Sequence, residues 1–62
     1  MPLVHIDLIE GRTDDQLRKL VKDITDVIGK DLNAPAEHVH IVLNEFPASR
    51  MADAGKLRSD ED

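Results

Sequence analysis

Pro2 is the residue whose chemistry depends most on its place in the chain. Initiator methionine is usually removed when the next residue is as small as proline, and Pro2 follows Met1 directly. Removal would leave a secondary amine, which acts as a base only in its neutral form. Burial and nearby cations both favour that form. Pro2 is therefore a candidate general base, although proline is also an ordinary first residue of a strand, and these residues alone favour that structural role.

Arg12 and the pair His38 and His40 are the other side chains that could do chemistry. Arg12 follows Gly11, which permits a sharp turn, so its side chain can reach away from its own subunit. A guanidinium binds carboxylates through a planar fork. The histidines lie two residues apart on one face of a predicted strand, but a tetrahedral metal site needs more ligands, and we predict no metal. If the predicted strands are parallel, His40 lies beside Pro2.

Three predicted elements position these residues. Residues 3–9 alternate between two sets of side chains, as in a strand. A helix follows from the N-cap Thr13, with Gln16 as capping-box partner, and ends at Asn33. A second strand covers residues 38–46, and this order predicts a right-handed βαβ unit with parallel strands. The apolar positions of the helix form one stripe: Leu17, Leu20, Val21, Ile24, Val27, Ile28 and Leu32.

The C-terminal third has weaker patterns. Periodicity is weak over residues 48–57, where we expect a loop or small hairpin lying on a neighbouring subunit. Residues 58–62 are mostly charged, and we expect a frayed acidic tail. The whole chain, residues 1–62, is predicted to be a single domain.

The size and charge of the chain restrict its partners. It has 62 residues and no cysteine, so no disulfide can stabilise it. A chain of this length buries only ~60% of its unfolded surface, and we therefore predict a homo-oligomer. The net charge of −5 argues against nucleic acid as a partner. No apolar run approaches the ~20 residues of a membrane span, and no signal peptide is recognisable, which favours a cytoplasmic protein.

Four stretches of the chain form a specific combination: Met1-Pro2, Leu8-Ile9-Glu10-Gly11-Arg12-Thr13-Asp14-Asp15-Gln16, Leu32-Asn33-Ala34-Pro35 and Asn44-Glu45. Together they resemble the small 4-oxalocrotonate tautomerase family over about the whole chain. The resemblance implies a βαβ subunit with a C-terminal hairpin, assembled as a hexamer. It also implies an isomerase that catalyses keto–enol proton transfer on 2-hydroxymuconate-like acids, as in aromatic compound catabolism, without a metal or organic cofactor.

The resemblance also implies roles for individual residues. Pro2 takes the position of the general base, which later returns the proton as an acid. Arg12 takes the position of an arginine that grips a substrate carboxylate from a neighbouring subunit. Ile9 takes a position that lines the apolar pocket.

Four positions depart from the family pattern or supplement it. His40 stands where the family's prototype has a second arginine, and Met51 where it has an aromatic residue. Asp53 occupies a further position that is apolar in the prototype. The general reaction therefore carries over better than the diacid substrate. Arg50, next to Met51, is our own candidate to replace the missing charge.

Two other functions remain open. One is another proline-dependent enzyme of unsaturated acids, a hydratase, dehalogenase or decarboxylase, in which protonated Pro2 polarises the substrate or activates water. The other is a non-catalytic oligomeric binding module. Retention of Met1 would favour the module, because an acylated nitrogen is not a base.

Overall fold

A strand, a long helix and a second strand form the body of the chain. The computed structural model describes residues 1–61. Its main elements are β1 (Leu3–Ile9), α1 (Asp14–Leu32) and β2 (His40–Phe46). The strands are parallel, with Leu3 opposite His40 and Ile9 opposite Phe46. The predicted βαβ unit is confirmed, as an α/β fold to which a small C-terminal hairpin is added.

Local signals at both ends set the length of α1. The Thr13 hydroxyl accepts a hydrogen bond from the Gln16 backbone N–H at 3.1 Å, and the Gln16 side chain accepts one from the Thr13 N–H at 2.8 Å. This is the predicted capping box, which pairs two of the donors that a helix start leaves free. At the other end Asn33 is left-handed, with φ 53°, and its N–H donates to the Gly29 carbonyl.

Helix α1 covers one face of the sheet and leaves the other open. The half-buried side chains of the covered layer are Val4, Ile6, Leu8, Ile41 and Leu43 from the strands and Leu17, Val21, Ile24 and Ile28 from the helix. Leu17, Val21 and Leu43 line one small cleft between helix and sheet. Because side chains alternate along a strand, the open face carries the other set, which includes Leu3, His5, Val42 and Asn44.

The outer side of α1 is charged. Exposed ion pairs join Arg18 to Asp15, Lys19 to Asp23 and Lys22 to Asp26. Pairs of this kind contribute little to stability. Among the described residues, no helix is both long and apolar enough to cross a membrane.

The placement of His38 differs from the prediction. His38 ends a 3-10 turn, Ala36–His38, and its backbone N–H donates to the Pro35 carbonyl at 2.9 Å. This bond holds the backbone of His38 in the turn, so only His40 belongs to β2. The prediction that the two histidines share one strand face is therefore wrong.

The C-terminal segment folds into a tight hairpin. Strands β3 (Ala52–Asp53) and β4 (Lys56–Leu57) are antiparallel. Their two-residue loop has positive φ at both positions, 51° at Ala54 and 83° at Gly55, as in a type I′ turn.

Residues directly after the hairpin are held in place. A 3-10 turn covers Arg58–Asp60, and the Arg58 N–H donates to the Met51 carbonyl at 2.8 Å. This differs from the frayed tail expected for residues 58–62. The part of that expectation that concerns Asp62 lies outside the described residues.

Candidate active site

A groove opens where the sheet ends and the hairpin begins. Its volume is about 630 Å³. It is lined by the ends of both long strands, the loop into α1 and the hairpin segment: Asp7, Leu8, Ile9, Arg12, Phe46, Met51 and Arg58. An apolar cleft with a few convergent charged groups is the usual form of a small-molecule site.

Arg12 is turned back over the end of β1. Gly11 has φ 131°, a conformation that residues with a Cβ rarely adopt, and this turn reverses the chain after the strand. The Arg12 Nη1 then donates a hydrogen bond to the Ile9 carbonyl at 3.0 Å. A guanidinium has five N–H donors, so this contact orients the side chain and leaves most of its fork for a carboxylate.

Met51 and Arg58 enter the groove together because the hairpin places them side by side. The Arg58 guanidinium donates from Nε to the Asp53 carboxylate, and Glu61 Oε2 lies 3.7 Å from the same nitrogen. The hydrogen bond and charge of Asp53, followed by the charge of Glu61, raise the pKa of the Arg58 guanidinium above its ordinary value. Arg58 is therefore a fixed cation at the edge of the groove.

Asp7 is the negative residue in the lining, and its carboxylate is tied to the open sheet face. Asn44 Nδ2 donates to Asp7 Oδ1 at 2.9 Å, and His5 Nε2 lies 3.1 Å from the same oxygen. The hydrogen bond from Asn44, followed by that from His5, lowers the pKa of the Asp7 carboxyl below its ordinary value. The Asp7 carboxyl is thus charged, and its Oδ1 is already hydrogen-bonded to neighbouring side chains.

Pro2 and His40 lie together at the opposite end of the sheet. The His40 N–H donates to the Pro2 carbonyl at 3.0 Å, which continues the parallel pairing of the strands. A seven-residue strand spans about 20 Å, so Pro2 and Arg12 of one chain are too far apart to hold a small substrate between them. A site that uses both residues must combine two copies of the chain.

The predicted site residues fall into two groups. Ile9, Arg12 and Met51 line one groove, and Pro2 lies next to His40 at the other end of β1. Arg50 belongs to neither group, because it is outside the groove lining and its Nη1 donates to the Ser49 carbonyl at 3.0 Å.

Arg58 is the positively charged groove residue that sequence reasoning missed. The available signal was Ala54-Gly55 between two short segments, since two-residue hairpin loops favour glycine at positions of positive φ. A hairpin centred there brings residue 58 back beside residue 51, as the hydrogen bond from Arg58 to Met51 shows. Alanine in the loop weakens this signal, because it rarely adopts positive φ.

Comparison with known proteins decides the family. A family model described as "Tautomerase enzyme" matches residues 2–61. The chain belongs to the tautomerase family. It is 53% identical over 62 residues to a Lactiplantibacillus plantarum protein named "Probable tautomerase", an alignment that covers 100% of this chain and 97% of that relative.

Solved structures of the family have the same fold. A crystal structure of a 4-oxalocrotonate tautomerase homologue has a TM-score of 0.94 at 32% identity and covers 100% of this chain and 98% of its own. A 4-oxalocrotonate tautomerase isozyme from Methylibium petroleiphilum has a TM-score of 0.88 at 31% identity, covering 94% of this chain and 91% of its own. The resemblance seen in the sequence is confirmed.

Proposed function

We propose that the protein is a tautomerase that catalyses keto–enol proton transfer on a 2-hydroxydienoate or related enol acid such as 2-hydroxymuconate. The observation that carries this proposal is the groove that Arg12 lines together with the apolar side chains of Ile9, Phe46 and Met51. A carboxylate binds the guanidinium, and a flat unsaturated chain suits the apolar lining. Membership of the tautomerase family supports proton transfer as the reaction.

Pro2 is the proposed base, and its nitrogen must first be free. Met1 is 91% exposed in the single chain, so the bond before Pro2 is accessible to an aminopeptidase before assembly. Once Met1 is removed, the Pro2 nitrogen is a secondary amine at the start of β1. In the proposed assembly this end of one subunit meets the groove of another. That arrangement supplies Pro2 and Arg12 to one substrate from two copies of the chain.

The proton transfer uses one group twice. Neutral Pro2 removes the proton from the enol oxygen, or from a carbon next to the carbonyl, and leaves a dienolate. Protonated Pro2 then delivers the proton to a different carbon of the same molecule, so no proton is gained or lost overall. General acid–base catalysis of this kind contributes typically ~10²–10⁴-fold to the rate. Arg12 holds the carboxylate and stabilises the negative charge of the dienolate.

His40 and Arg50 differ in how close they lie to the proposed base within one chain. His40 begins β2 directly beside Pro2, and we place it next to the substrate on that ground. Arg50 has no contact with either half of the site within one chain. Its proposed contact with substrate depends on a neighbouring subunit.

The test compares the protein with and without Met1. Both forms are brought to equal concentration and confirmed equal oligomeric state, and the absorbance change of 2-hydroxymuconate is followed. The trimmed form should turn over with a rate that rises with pH as Pro2 loses its proton, and the Met1-retaining form should be nearly inactive. Undiminished turnover by the Met1-retaining form would exclude Pro2 as the base.

A panel of substrates separates tautomerisation from the related reactions of hydration and dehalogenation. Phenylenolpyruvate reports tautomerisation of an enol with a single carboxylate, and haloacrylates report hydrolytic dehalogenation. Turnover of the enols and not of the haloacrylates is the expected result. The reverse pattern would assign the protein to hydration or dehalogenation chemistry.

A further inference from the structure

Arg58 is a second fixed cation in the groove that contains Arg12. Its backbone is held by the hydrogen bond from its N–H to the Met51 carbonyl, and its guanidinium is held by Asp53 on the facing strand of the hairpin. The side chain is 43% exposed and forms part of the groove lining. The hairpin therefore fixes where this charge lies before any ligand arrives.

The contacts of Arg58 leave one side of its guanidinium for a ligand. Asp53 accepts from Nε, and Glu61 comes nearest to the same nitrogen at 3.7 Å, too far for a direct hydrogen bond. Within residues 1–61 the two Nη groups have no hydrogen-bond partner. Their four N–H donors are those with which arginine forms paired hydrogen bonds to a carboxylate.

We propose that Arg58 determines specificity in this groove by binding a second anionic group of the ligand whose first carboxylate is held by Arg12, and that Asp53 is the residue that positions it. Because that ligand is the substrate of the proposed tautomerase, this role rests on the proposed function. The apolar side chains of Ile9, Phe46 and Met51 in the same lining fit the carbon chain that joins two anionic groups.

Acidic side chains in and beside the groove reduce its attraction for an anionic ligand. Asp7 is the acidic side chain of the lining, and its Oδ1 already accepts from Asn44 and lies beside His5. Asp53 and Glu61 reduce the net charge around Arg58, so the second contact adds selectivity more than strength. A monoacid loses little without Arg58, whereas a diacid loses its second contact.

Ligand binding tests this role without turnover. The probes are adipate, an unreactive six-carbon dicarboxylate, and hexanoate, its monocarboxylate counterpart, titrated by calorimetry into the assembled protein. Arg58→Gln should weaken the affinity for adipate about three- to tenfold, as expected for a partly exposed charged contact. The affinity for hexanoate should change by less than about twofold. Arg58→Lys keeps the charge without the fork and should lie between parent and Arg58→Gln.

Two controls separate binding from folding and from general charge. Lys56→Gln removes the same charge from the same hairpin at a residue outside the groove lining, and should leave both affinities unchanged. Asp53→Asn keeps an oxygen for the Arg58 Nε and should retain the preference for adipate, whereas Asp53→Ala should reduce it. Equal loss of preference in both Asp53 variants would overturn the positioning role.

The outcomes distinguish this role from the proposed function. Equal weakening of adipate and hexanoate by Arg58→Gln, or no change in either, would overturn the specificity role even if the trimmed protein turns over enols. Selective loss of adipate binding would support it even if the trimmed protein proved inactive. If Lys56→Gln also lost adipate binding selectively, the effect would come from the overall charge of the hairpin, and the specificity role of Arg58 would be overturned.

Discussion

Arg12 and Arg58 differ in what holds their guanidinium groups. Arg12 is oriented by one neutral acceptor, the Ile9 carbonyl, whereas Arg58 is bound by the Asp53 carboxylate. A cation that already has an anionic partner gains less from a second one. Arg12 therefore has more of its charge available to a ligand, and we assign it the primary carboxylate contact.

Arg12→Ala should lower kcat/KM on a 2-hydroxydienoate by about ten- to a hundredfold, because a hydrogen bond to a charged group contributes ~1.5–3 kcal/mol. The matched control is Arg18→Ala, which removes an arginine paired with Asp15 on the outer side of α1 and should leave kcat/KM unchanged. Steady-state kinetics of both variants provide the measurement. Equal activity of Arg12→Ala and the parent would show that Arg12 is a surface charge without a contact to the substrate.

The carboxyl of Asp7 reports the polar network on the open sheet face. Asn44 is the largest cause of its lowered pKa, ahead of His5, so Asn44→Ala should raise the pKa of Asp7 toward the ordinary aspartate value. A carboxyl with a lowered folded pKa adds stability above its unfolded pKa of about 3.9, and that stability is lost as pH falls through the folded pKa. The variant should therefore lose less stability than the parent across the acid range.

NMR titration of the Asp7 carboxyl carbon measures this pKa directly. His5→Gln should raise it by a smaller amount than Asn44→Ala, because the His5 contact is the second cause and not the first. A larger shift in the His5 variant would reverse the order of the two contacts.

At the level of elements, the sequence predicts best those features that depend on residues a few positions apart. The start of α1 follows from Thr13 and Gln16, and its end from Asn33, because each of these residues acts on backbone within a few positions. The local pattern of residues 48–57 predicts a loop or a small hairpin without deciding between them, and it does not predict that Arg58 lies in the groove. Its position depends on a turn with Ala54 at φ 51°, a conformation that alanine rarely adopts.

The capping box makes the start of α1 testable. Thr13→Ala removes the hydroxyl that accepts from the Gln16 N–H and should lower the free energy of unfolding by about 1 kcal/mol per chain. Thr13→Ser keeps the hydroxyl and should remain close to the parent. Chemical denaturation at fixed protein concentration compares the three proteins. A Thr13→Ala variant as stable as Thr13→Ser would show that the cap contributes nothing.

At the level of the whole molecule, one chain is too open to be a complete globule. Its accessible surface is 4870 Å² for a mass of 6.9 kDa, whereas a compact monomer of that mass exposes about 4,000 Å². Its radius of gyration is 14.9 Å, against about 10.6 Å for a compact domain of this length. No apolar side chain of residues 1–61 is fully buried.

The exposed apolar side chains indicate where we expect further copies of the chain to pack. Leu3 and Val42 are 68% and 45% exposed on the open face of the sheet. Val27 and Leu32 of α1 are also exposed, at the edge of the stripe that faces the sheet. Covering apolar surface of this kind contributes about 25 cal/mol per Å², so assembly can supply the stability that one chain lacks.

The protein should therefore be an obligate oligomer, expected as a hexamer, and its open sheet face should lie inside the assembly. Val42→Lys puts a charge on that face and should dissociate or unfold the protein, because a buried unpaired charge is strongly unfavourable. Asp26→Lys is the control on the outer side of α1, where it breaks one exposed ion pair with Lys22 of small value. Sedimentation at micromolar concentration should give one large species for the parent and for Asp26→Lys, and smaller or unfolded species for Val42→Lys.

Because Pro2 and Arg12 of one chain lie at opposite ends of β1, turnover should be lost together with assembly. A folded monomeric parent would rule out a site shared between subunits.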